Sequence, residues 1–243
     1  MNNNINKLIS YGSQFTLMSM GYEGTLMITD FVLKTLSVKY KGLSSNNQKY
    51  VTTNLNKSLV MLYIFASFCK IFKQNPQYVL NTSCVVDKQS QDSWKFLTML
   101  YACTDFVGLI KSSKMPFSTQ LHHYGVILAL FIVICSNFNG ASLSKSLVIY
   151  GAFSSSAGIV NTYLGARKLY NADSNTIKFL KNAGLISYIL ACSSNWTWQL
   201  RYLMTYFNNT PNKMVILKFL LNTGLLYSWI QDDLKLMRHL ATN

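Results

Sequence analysis

Seven stretches of the chain are apolar over about the length that crosses a bilayer, which is about 20 residues for a helix. They run over roughly residues 14–36, 53–72, 94–111, 121–138, 143–164, 182–206 and 213–230. Half of the 243 residues are hydrophobic and only 12% are charged, against about 25% in a soluble domain, and the mean hydropathy is positive at +0.18. The expected architecture is an all-α, polytopic transmembrane helix bundle of about seven spans. Polar side chains inside such spans are expected to face the bundle interior.

The formal charge of +14 does not point to nucleic acid. Lys and Arg are scattered through short loops, and no basic stripe with interleaved aromatics occurs. With seven spans, twelve basic residues, including Lys57, Lys111, Lys114 and Arg167, share one side, against eight on the other. The positive-inside bias then predicts a cytosolic carboxyl end. Sequons at Asn81 and Asn208 fall on the opposite side, whereas Asn56 does not.

The amino end lacks the basic, apolar and small-residue sequence of a removable signal, so the first span is expected to stay. Residues 1–39 are read as an amino-terminal segment with the first span, 40–238 as one membrane domain and 239–243 as a short cytosolic tail. Five cysteines without CxxC spacing read as small apolar residues.

Polar groups gather at one end of the predicted bundle. Asp105 lies six residues before Lys111 in the third span, hence about 9 Å from that end at about 1.5 Å per residue. After a turn at Pro116, His122 and His123 open the fourth span in the same leaflet. The fifth span returns Asn161 and Arg167 there, and the seventh brings Tyr227, Trp229, Gln231, Asp232 and Asp233. Adjacent helical residues point about 100° apart, so the two histidines are not expected to ligate one metal ion together. One histidine facing inward suits a proton acceptor, with Asp105 fixing its tautomer; the alternative is that these groups are interhelical glue.

Other features read as structural. Gly151, Ser155, Gly158, Thr162 and Gly165 form a small-residue face for close helix packing. Trp94, Trp196 and Trp198 suit an aromatic belt opposite the histidines. Glu23 and Asp30 share a helix face expected to look inward, and Lys34 is placed to neutralise Asp30.

The successive segments "YACTDFVGLI", "LHHYGVI", "NTYLGARKL" and "LLYSW" resemble the TLC-domain family, which includes ceramide synthases and non-synthase lipid-homeostasis proteins. The resemblance covers roughly residues 40–238. It implies a helix bundle around a lipid-accessible cavity faced by Asp105, His122 and His123, with Tyr101, Asn161, Arg167, Tyr227 and Trp229 contacting lipid. In the synthase branch such histidines promote amide formation between an acyl-CoA and a long-chain base. This chain departs from that branch where a further His-Asp and Asp are expected. Its "VIYGAFSSSAG" stretch, with Ile149, Tyr150 and Phe153, contains neither. A glutamate that other members carry in the fifth span is also missing, since the only glutamate is Glu23.

Three functions are therefore set against one another. The first is binding or sensing of an acyl-chain lipid, of the sphingolipid or phospholipid class, in lipid homeostasis. The second is a divergent acyltransferase with His122 or His123 as base and acyl-CoA as co-substrate. A proton-coupled transporter ranks last, for want of an inverted repeat. No resident cofactor or metal is expected. An internal membrane such as the endoplasmic reticulum is the expected location, and a homodimer is one expected assembly.

Overall fold

A computed structural model describes residues 2–111, 115–138, 142–209 and 213–242. Lys114, part of the charge comparison, and the side chain of Asn208 lie outside the described residues. Within them the chain is all-helical, without a strand. The helices are α1 (Asn2–Leu36), α2 (Val38–Lys41), α3 (Ser45–Gln74), α4 (Gln77–Leu80), α5 (Lys88–Lys111), α6 (Phe117–Ile134), α7 (Leu143–Ser155), α8 (Gly158–Ala166), α9 (Asn175–Asn209) and α10 (Lys213–Thr242). Two of them, α3 and α6, are long and apolar enough to cross a membrane.

Helix starts follow local chemistry. Ser37, Ser44 and Ser142 each accept a backbone N–H of the first helical turn of α2, α3 and α7, and Pro116 precedes α6, where its missing N–H costs nothing. At α5 the cap is Asp87, which accepts the Ser90 amide at 2.9 Å, the Ser90 hydroxyl at 2.6 Å and the Tyr78 phenol. These donors hold its carboxyl at about 2, the Ser90 hydroxyl contributing most, then the Tyr78 phenol, then the Ser90 amide. Because the folded value is depressed, the cap's contribution is full above about 4, the ordinary aspartate value, and is lost as pH falls through about 2. Asp87→Ala is expected to cost about 1 kcal/mol at neutral pH. Thermal melts of the variant and the parent should converge at low pH, and a gap that persists at pH below the folded value would refute this account.

The corner between α1 and α3 is tied by Tyr40, which is fully buried. Its phenol donates to Asp30 at 2.5 Å and to the Gln48 carbonyl at 3.2 Å. Lys34 pairs with Asp30 at 2.7 Å, as the i, i+4 spacing predicts. Glu23, expected to look inward, is instead half-exposed and pairs with Lys111 at 2.9 Å, which ties α1 to the end of α5.

The segment read as one fifth span is two helices, broken at Ser156 and Ala157. Ser155 and Ser156 turn their hydroxyls back onto the carbonyls of Ala152 and Phe153 at 2.7 and 2.6 Å, a local alternative to continuing the helical ladder. Beyond the break, α8 lies against α3. A Cβ at Gly158 would sit 3.0 Å from Leu62 Cγ, and one at Gly165 would sit 2.9 Å from Leu55 side-chain atoms. Between them Thr162 and Ser58 share a hydrogen bond at 2.5 Å. The small-residue face is thus a packing face at Gly158, Thr162 and Gly165, but not at Gly151, where a Cβ meets nothing within 4 Å.

The main core joins α3, α5, α6, α7 and α10. At one end it is closed by aromatic rings. Trp94 is completely buried, with ring centroids 5.6 Å from Tyr78, 5.3 Å from Phe138 and 6.3 Å from Phe72, all edge-on. Trp94 is therefore a core residue and not part of a lipid-facing belt: α3, α4 and the segment after α6 bring rings around it. Beside this cluster, the fully buried Lys145 ammonium donates to three carbonyls, Asn81 at 2.9 Å, Cys84 at 3.2 Å and Thr82 at 3.3 Å. It fastens the turn between α4 and α5 to the first turn of α7. Cys103 and Cys192 are buried, while Cys69 and Cys135 are exposed and Cys84 is half-buried; all five are free.

Candidate functional site

The site is built on three helices that approach one carboxylate. Asp105 of α5 is 0% exposed. Lys57 of α3 donates to its Oδ1 at 2.5 Å. His123 of α6 places Nδ1 2.9 Å from the same oxygen, an ion-pair contact without hydrogen-bond alignment. The other oxygen, Oδ2, is buried and has no hydrogen-bond donor among the described residues. A buried acceptor left unpaired costs about 1–3 kcal/mol, so Oδ2 is a place where an O–H or N–H from a ligand or water would be held.

The roughly 100° step between neighbours on a helix sends His122 elsewhere. Its Nδ1 lies 3.7 Å from Asp232 Oδ2 of α10, and its ring centroid is 5.7 Å from that of His123 and 6.2 Å from that of Trp229. Asp233, the next residue, serves a different partner set: the Tyr188 phenol donates to it at 2.6 Å and the Tyr150 phenol at 3.2 Å. Of the two adjacent histidines and two adjacent aspartates, His122 and Asp232 meet across α6 and α10, while His123 turns to α5 and Asp233 to α7 and α9. Close approach of these helices rests on Gly125, where a Cβ would sit 3.0 Å from Trp229 Nε1.

A small cavity, part of it open to the outside, has about 40 Å³ of room for the centre of a water-sized sphere, and Asp105, Lys57 and the two histidines are not among the residues that line it. Its walls are mostly aliphatic and aromatic, with Tyr101, Tyr150 and Trp229 at the polar end and Phe68 and Leu97 toward the aromatic cluster. Each of these three residues neighbours a different polar group: Tyr101 lies by Lys57, Tyr150 donates to Asp233, and Trp229 faces His122. Lys57 Nζ stands 6.0 Å over the Tyr101 ring, and Tyr150 packs on Trp229 at 4.4 Å.

The structure brings together Asp105, His122, His123, Tyr101 and Trp229 from the residues anticipated. It leaves three others apart. Tyr227 is 66% exposed on the outside of α10. Asn161 directs its amide to Met61 Sδ at 3.1 Å. Arg167 pairs with His239 at 2.9 Å and reaches Tyr50 at 3.5 Å, so it joins α8 to the end of α10 rather than to the cavity. Lys57 and Tyr150 are additions. Lys57 counted only as loop charge, although a buried Asp105 demanded a counter-ion near the start of a neighbouring span. Among the described residues no group of three or more His, Cys, Asp and Glu side chains could hold a metal ion.

No protein-family model, curated protein or solved structure matches the chain.

Proposed function

We propose that the chain is a TLC-like, multi-pass membrane protein of lipid homeostasis that holds one acyl-chain lipid in a cavity of the bundle. The observation that carries this reading is an apolar cavity with Tyr101, Tyr150 and Trp229 at one end, where Tyr101 lies 6.0 Å from the Lys57 ammonium that pairs with Asp105. An acyl tail would lie along the apolar walls with its head group toward Tyr101, Tyr150 and Trp229. Membrane residence is supported by α3 and α6 and by the outward face of α1, where Leu17, Met20, Met27, Ile28 and Phe31 are exposed together. The other long helices, α1, α5, α9 and α10, together with the broken α7–α8 pair, would complete the seven-span arrangement in an internal membrane, with the carboxyl end cytosolic.

A second reading rests on the 2.9 Å contact of His123 with Asp105. With Nδ1–H aligned as a donor to Asp105, Nε2 would be left to accept a proton, which is the arrangement of a general base. In an acyl transfer, His123 would take the proton of a lipid amine or hydroxyl while that atom bonds to the thioester carbon. The carbon–sulfur bond then breaks, and the CoA thiolate leaves with a proton.

Both readings are tested by lipid mass spectrometry on wild type and on an Asp105→Asn, His122→Ala, His123→Ala variant, expressed at matched membrane levels. Binding predicts a near-stoichiometric acyl lipid co-purifying with wild type and depleted in the variant. Acyl transfer predicts an amide- or ester-linked lipid made in cells only by wild type. Purified protein devoid of acyl lipid, with unchanged cellular profiles, would defeat both.

A further inference from the structure

At the end of α8 a guanidinium has no carboxylate to answer it. Gly165 lets α8 close on α3, since a Cβ there would sit 2.9 Å from Leu55 side-chain atoms, and this brings Arg167 to Tyr50. Leu240 is fully buried in one core with Ala166 and Ile177, which fixes the last turn of α10 and sets His239 beside the same guanidinium. Arg167 Nη1 donates to His239 Nε2 at 2.9 Å, and Nη2 donates to the Tyr50 hydroxyl at 3.5 Å. A guanidinium only donates, so His239 accepts and is neutral here, in keeping with a pKa lowered by burial and by Arg167. Of the five N–H donors of an arginine, these two are engaged; Nε is buried and has no partner among the described residues. No Asp or Glu among the described residues pairs with Arg167.

The groups around this guanidinium add charge of the same sign. Lys168 follows Arg167 in sequence, Lys49 precedes Tyr50 and Arg238 precedes His239, while Lys39 is held to the turn after α8 by its hydrogen bond to Asn171 at 3.3 Å. The acid nearest in sequence, Asp173, is exposed and already faces Lys178 at 3.8 Å. Beside Lys39, the apolar side chains of Leu36 and Val38 are exposed, as is Tyr170 just after Lys168. Exposed apolar and aromatic groups bordering lysines suit the head-group layer of a bilayer.

We infer that Arg167 clamps the phosphomonoester head group of an anionic membrane lipid at this basic end of the bundle, a site separate from the cavity. The inference rests on the membrane residence proposed above and not on the acyl cavity. A planar guanidinium gives a phosphate two parallel N–H bonds, and the donors left over on Arg167 supply them. A phosphomonoester carries a charge of about −1.5 to −2 near neutral pH, more than a diester, so the surplus of cations favours it.

The test uses full-length protein in mild detergent, offered equal amounts of dioleoyl phosphatidic acid, phosphatidylglycerol and phosphatidylcholine, with bound lipids counted by native mass spectrometry. Wild type should be enriched in phosphatidic acid over both diesters. Arg167→Gln should lower the phosphatidic acid to phosphatidylcholine ratio about tenfold, the change that about 1.4 kcal/mol gives. Arg167→Lys keeps the charge without the fork and should lower it less. A purely structural tie between α8 and α10 would lower stability and leave the ratio alone. Arg238→Gln, at an exposed position, should also lower the ratio and supplies an answer if the Arg167 variants do not fold. Unchanged ratios in folded variants, or equal retention of phosphatidic acid and phosphatidylglycerol by wild type, would overturn the inference. Displacement of phosphatidic acid by excess inorganic phosphate would assign the site to a soluble ligand and overturn the lipid. Phosphatidylcholine bound without enrichment of phosphatidic acid defeats this site alone, whereas a wild type that retains no lipid of any class defeats membrane residence as well.

Discussion

Lys57→Met should destabilise the bundle by about 3–5 kcal/mol, because it leaves a fully buried carboxylate without its closest counter-charge. Asp105 has no exposed surface, Lys57 is its 2.5 Å partner, and the remaining contact, His123, is not aligned as a hydrogen bond. The double variant Lys57→Met, Asp105→Leu should recover most of the loss, since neither an unpaired charge nor its desolvation remains. A double-mutant cycle from thermal melts in detergent reads the coupling directly. If Lys57→Met melts like wild type, then something other than the lysine neutralises Asp105, and the Lys57–Asp105 pair does not hold the site together.

Trp94→Ala should cost about 3–5 kcal/mol, and Trp94→Phe less than about 1.5 kcal/mol. The indole is completely buried among Phe72, Tyr78 and Phe138, so truncation opens a cavity that three elements line. Its Nε1 has no hydrogen-bond partner among the described residues. Phenylalanine therefore loses ring area but no polar contact, and removes a buried N–H that nothing satisfies. Thermal melts of the two variants side by side decide the matter. Equal losses would mean that the indole N–H, and not the ring, holds the aromatic cluster.

These two residues also mark where the sequence could and could not be read. Helical alternation was enough to bring Asp105, His122 and His123 to one end, since their depth follows from residue count alone. The pairing of each histidine was half legible. A 100° separation excludes a shared ion, but which neighbour meets which ring depends on how α6 and α10 close over Gly125. Lys57 escaped notice because a lysine near a helix start looks the same whether it is solvated or meets a buried acid. Trp94 was misplaced for a related reason. Tryptophan near the end of an apolar segment suits both an interfacial belt and a packed core, and only the rings supplied by α3, the turn at Tyr78 and Phe138 decide between them. Tyr227 and Trp229 are two residues apart on α10, and the helix turns one outward and the other, 3% exposed, onto the cavity. Arg167 was assigned to the right end of the bundle and the wrong partner, because His239 lies 72 positions further along the chain.

The three carbonyls that converge on Lys145 form a socket whose size and polarity would suit a potassium or ammonium ion. A free ion in such a socket comes and goes with its concentration in the surrounding medium. An ammonium carried on the chain cannot dissociate, so the turn it clasps keeps its shape through swings in ionic composition. The ring cluster around Trp94, which includes Tyr78 just before this turn, inherits the same indifference to salt.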